Sequence, residues 1–140
     1  MAAGTPFLVA AFVLCSSASS SASVLDRWAT CNASSNFECG RQVGAQMAEV
    51  IRASIAPSTS DGQALSKLVQ WAATDPGEAV VATYRKIHEE RVPHLVDEVR
   101  GLAVGSGVSF DSLLLLNLMP ELLFEAGIDE WTGKGCTDYH

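Results

Sequence analysis

The residues of this chain best suited to covalent chemistry are Gly135 and Cys136, in the run Gly135-Cys136-Thr137. The Cys136 thiol could attack the Gly135 carbonyl carbon and move the acyl group from nitrogen to sulfur. Water would then hydrolyse the thioester and divide the chain. Glycine suits the position before the cysteine, because the missing Cβ leaves room for the attack and tolerates the strained backbone it needs. Division would free the α-amino group of Cys136, whose reference pKa of about 8 lets it act as the base for its own thiol. The competing reading of Cys136 is a free or disulfide-bonded residue in an exposed tail.

The surrounding residues favour the nucleophile. Glu98-Val99-Arg100-Gly101-Leu102-Ala103 is followed by Gly105-Ser106-Gly107-Val108. Next come Leu113 to Leu118, Met119-Pro120-Glu121-Leu122, and then Gly135-Cys136-Thr137. In order and spacing, residues 80 to 140 resemble the region before the nucleophile in the acyl-coenzyme A:6-aminopenicillanic acid acyltransferase family. That family belongs to the N-terminal-nucleophile hydrolases, with the related acid ceramidases and acylethanolamine amidases. The run departs from the family pattern at Met119-Pro120, where a basic or small residue is usual. The resemblance implies cleavage between Gly135 and Cys136, with Cys136 as nucleophile. It also implies a pro-segment over residues 24–135 and a catalytic subunit beginning at 136–140 and continuing beyond them, in an αββα fold. The substrate would be a small-molecule amide or acyl compound, with no metal or cofactor required. The oxyanion hole would come from that downstream subunit, so residues 1–140 alone would be inactive.

The segment that must position Cys136 reads as helical throughout, so the expected fold class is mainly α. Ser35-Asn36-Phe37-Glu38, Ser60-Asp61-Gly62-Gln63 and Asp75-Pro76-Gly77-Glu78 each set a capping residue three positions before Glu or Gln. They predict helices over about 37–55, 61–73 and from 76 onward, the last with an apolar side of Val80, Val81, Tyr84, Ile87 and His88. Pro93 should kink or split that third helix. Val92, Leu95, Val96, Val99, Leu102 and Ala103 then form one helical stripe, with Asp97, Glu98 and Arg100 opposite. Gly105-Ser106-Gly107 should end it. Ser109 should cap a last helix over about 110–125, with Phe110, Leu113, Leu114 and Leu118 inward. In that helix Asn117 and Glu121 lie one turn apart, either as a polar pair bracing the approach to the nucleophile or as surface residues.

Residues 7–15 are a short apolar core followed by Ser and Ala, which reads as a secretory signal over residues 1–23. A membrane span would need about 20 apolar residues, more than this stretch offers. Secretion, or delivery to a lysosome, places the remaining cysteines in an oxidising compartment. Cys31 and Cys39 could then close a small loop, leaving Cys136 as the odd thiol. Between them lies the glycosylation sequon Asn32-Ala33-Ser34. The net charge is -7, and no charged residue precedes Asp26. Such an acidic chain is a poor match for nucleic acid.

His88-Glu89-Glu90 with His94 superficially suggests zinc, yet a spacing of six puts the two imidazoles on different helix faces. Lys86, Glu89, Glu90 and Arg91 read instead as a solvated face with weak pairs such as Arg85 to Glu89. Two functions follow: a self-processing cysteine amide hydrolase or acyltransferase, and a small secreted helical binding protein.

Overall fold

Two Thr-x-x-Gly turns organise the middle of the chain. Thr59 Oγ1 donates to the carbonyls of Ser54 and Ala56 and accepts from Gly62 N at 2.9 Å. Thr74 Oγ1 donates to Trp71 O at 2.6 Å and accepts from Gly77 N at 3.3 Å. In both, a Cβ on the glycine would overlap the carbonyl oxygen three residues before the threonine. The helices therefore begin one residue earlier than the capping-box pattern predicts, with Thr59 and Thr74 as caps rather than Ser60 and Asp75. A threonine hydroxyl reaches forward to the new helix and back to the old one together. Ser35 and Ser109 cap as expected, accepting from Glu38 N and Ser112 N.

The structure is a computed structural model describing residues 29–128. These are mainly helical, with no strand among them. The elements are α1 (Asn36–Gln46), α2 (Ala48–Ser54), α3 (Ser60–Ala72), α4 (Asp75–Arg91), α5 (Pro93–Ser106), α6 (Phe110–Asn117) and α7 (Met119–Glu125). Pro93 splits α4 from α5 at Val92. Two further breaks divide helices the sequence reads as continuous. The 37–55 helix turns at Met47, where the glycine contacts of α1 with α5 run out. Arg52 of α2 then donates to Ser106 O at 2.6 Å, satisfying the carbonyl end of α5. The 110–125 helix turns at Leu118, two residues before Pro120, whose nitrogen cannot donate to Leu116 O.

α1 and α5 run parallel and pack at very close range. Gly40 and Gly44 face the backbone of Glu98 and Leu102, while Gly101 and Gly105 face that of Phe37, Arg41 and Ala45. Both helices thus contribute a Gly-x-x-x-Gly face, and main chain rests on main chain. Glu98, expected on the outer face of α5, is drawn partly into this seam.

The apolar core lies on the other side. Leu65 and Leu68 of α3 meet Leu114 and Leu115 of α6, with Leu118, Met119, Leu122 and Leu123 beneath. Burying each such leucine stabilises the fold by roughly 1.5–3 kcal/mol. Phe110 is only partly buried at the edge of this cluster, because its ring lies among arginines. Ile87 and Leu95, assigned to apolar stripes by spacing, are about half exposed, since no described element covers that side of α4 or the start of α5.

Candidate functional site

Gly135 and Cys136 lie outside the described residues, as does the signal-like segment 1–23. The structure describes the element that leads toward them. α7 ends in a Schellman motif: Gly127, at φ 64°, donates to Phe124 O at 3.1 Å, and Ile128 donates to Leu123 O at 3.0 Å. Leu123 is buried and Ile128 packs against the core, so the last described residues are held in place.

Asn117 and Glu121 are both exposed, which agrees with the surface reading of this pair. The break at Leu118 puts Asn117 at the end of α6 and Glu121 in the first turn of α7. Asn117 Nδ2 donates to Leu113 O at 2.7 Å, one turn back, rather than to Leu116.

A groove of about 560 Å³ runs between α3, α4 and α6. Val69, Ala72, Val81, Leu114 and Leu115 make its floor. On its rim Arg85 Nη2 donates to Asp111 Oδ1 at 2.6 Å. Arg100 binds Glu89 at 2.6 Å and Asp97 at 3.0 Å. Both guanidinium groups lie near the Phe110 ring, at 5.6 and 5.4 Å from its centre, within cation–π range. The expected Arg85–Glu89 pair is therefore replaced: α6 brings Asp111 to Arg85, and α5 brings Arg100 to Glu89. These bonds tie α4, α5 and α6 together. The groove's lining includes Ser109 and Ser112 but no histidine or cysteine, so it offers a serine hydroxyl without an imidazole base.

Among the described residues no group of three or more His, Cys, Asp or Glu side chains could hold a metal ion. His88 Nδ1 donates to Tyr84 O at 2.8 Å, an internal helix bond. No described helix is long and apolar enough to cross a membrane.

The N-terminal edge is fixed covalently. Cys31 and Cys39 form a disulfide, with Cα atoms 5.1 Å apart. Two glutamines on α1 then hold the extended residues before it. Gln46 exchanges bonds with Thr30 N and O at 3.3 and 2.7 Å, and Gln42 does the same with Asn32 at 3.0 and 3.4 Å. Each side-chain amide takes the place of a neighbouring strand. Nothing in the residue types marks Gln42 and Gln46 for this role.

Two carboxyls on this face titrate abnormally and in opposite directions. Bonds from Arg41, then Gln42, hold Glu38 at a pKa of about 2 against an ordinary 4.5. Burial raises Glu98, opposed by the nearby His94 and a bond from Asn36. A carboxyl with a raised folded pKa takes up its proton more readily in the fold than in the unfolded chain. Stability associated with Glu98 therefore rises as pH falls from the folded value toward 4.5. Glu98→Gln should raise Tm at pH 7 and remove part of the gain seen on acidification. Circular dichroism melts of both proteins from pH 7 to 4.5 check this, and parallel curves would count against it.

No protein-family model, curated protein or solved structure matches the chain. Among the described residues the fold is a disulfide-tied helical domain with a groove between α3, α4 and α6.

Proposed function

We propose that residues 24–135 are the pro-segment of a secreted or lysosomal cysteine amide hydrolase or acyltransferase that cleaves itself between Gly135 and Cys136. The observation that carries this is Gly135-Cys136-Thr137 standing after the Asn117 and Glu121 run in family order. A self-contained helical segment before the nucleophile is compatible with it. So is the disulfide, which uses two cysteines and leaves Cys136 as the thiol able to act. In this reading Cys136 supplies both nucleophile and base. Its amide or thioester substrate would form an acyl-enzyme that passes the acyl group to water or to an amine. The partner of the helical domain is the catalytic subunit beginning at Cys136.

A second reading, a secreted helical binding protein, is favoured by the groove and by Phe124 on α7, which is 85% exposed. Sequencing the transcript through and past the codon for His140 separates the two. A frame that continues into segments of strand periodicity supports the hydrolase. A stop codon there removes the catalytic reading and leaves the binding protein.

A further inference from the structure

The sequon Asn32-Ala33-Ser34 lies inside the loop closed by Cys31 and Cys39, with Ser35 capping α1 immediately after it. Asn32 and Ser34 are exposed, and the Asn32 carboxamide has no hydrogen-bond partner among the described residues. Chemically, the acceptor is ready. Its backbone is not: Asn32 N and O are both bound to Gln42, and the adjacent Cys31 is crosslinked to α1. A transferase must draw the sequon into its own cleft, which a segment pinned at both ends and along its length resists.

We infer that Asn32 carries an N-linked glycan, and that attachment precedes closure of the Cys31–Cys39 bond, so that the disulfide and Gln42 limit how many chains are modified. This rests on the secretory part of the functional reading and is independent of Cys136. In the step itself, Asn32 Nδ2 loses one proton and bonds to the anomeric carbon of an oligosaccharide. The sugar–oxygen bond to a polyprenyl diphosphate donor breaks, and the diphosphate leaves with the electron pair. The glycan would stand at the outer edge of α1, away from the apolar core.

The full chain can be expressed in a eukaryotic secretory pathway as wild type, Asn32→Gln, Gln42→Ala and Cys31→Ser/Cys39→Ser. The readouts are the fraction that changes mobility with a peptide N-glycosidase, and the free thiols by alkylation. The expected result is partial modification of the wild type, a larger fraction for Gln42→Ala, near completeness for the double serine variant, and none for Asn32→Gln. Gln42→Ala keeps the disulfide, so its increase reports release of the sequon rather than failure to fold. Equal modification of wild type and both release variants would overturn the coupling. No modification of any variant, with the wild-type disulfide formed, would overturn the glycan alone. No modification with free thiols would overturn the secretory reading as well.

Discussion

Gly101→Ala should lower stability by about 2 kcal/mol or more, a fall in Tm of roughly 8–16 °C for a domain of this size. The added methyl would overlap Phe37 O and stand 2.7 Å from Arg41 N, both backbone atoms of α1. A side chain in that place could rotate away, but a helix backbone cannot. Relief requires α1 and α5 to move apart along the whole seam, where Gly40 and Gly105 make equally close contacts and Gly44 a slightly longer one. Helix propensity acts in the opposite direction, since alanine is better than glycine by about 1 kcal/mol in a helix interior. The sign of the result therefore decides between the two effects. A Tm equal to or above that of the wild type would show that α1 and α5 are not in backbone contact at Gly101.

Leu122→Ala should cost about 2–5 kcal/mol, the range for emptying a closed leucine site. Leu122 is fully buried on α7, and Leu68 on α3 is its equal in burial. The cavity would open where three helices converge, and the Schellman turn after α7 limits how far the helix can collapse into it. Phe124→Ala on the same helix is the comparison, because its ring is 85% exposed and should change stability little. Denaturant melts of the pair test the core assignment. Similar losses for both would place α7 differently.

Much of the helical order was legible because its signals are local. Ser35, Ser109, Pro93 and Gly107 act within one turn of themselves, and each begins or ends a helix where its chemistry predicts. The errors lie where a distant element decides. Thr59 and Thr74 displace Ser60 and Asp75 as caps because the preceding helix ends against the same hydroxyl. Arg85 and Glu89 take partners from α6 and α5 that no spacing within α4 could reveal. The Gly-x-x-x-Gly pairs at 40–44 and 101–105 are visible in the sequence, but nothing there says that they meet. For the candidate site, Asn117 and Glu121 were legible as a pair, but spacing within one helix could not decide between the bracing and the surface reading, because the turn at Leu118 that separates their helices decides it. The disulfide was legible from cysteine arithmetic, whereas the glutamines beside it were not.

Self-cleavage at Gly135 is tested most directly by mass spectrometry of the natural gene product, isolated from its own cells as wild type and as Cys136→Ala. The predicted result for the wild type is one chain ending at Gly135 and a second beginning at Cys136, with the variant remaining as one chain. A wild-type chain intact across Gly135 and Cys136, indistinguishable from the variant, would contradict the assignment of Cys136 as a nucleophile.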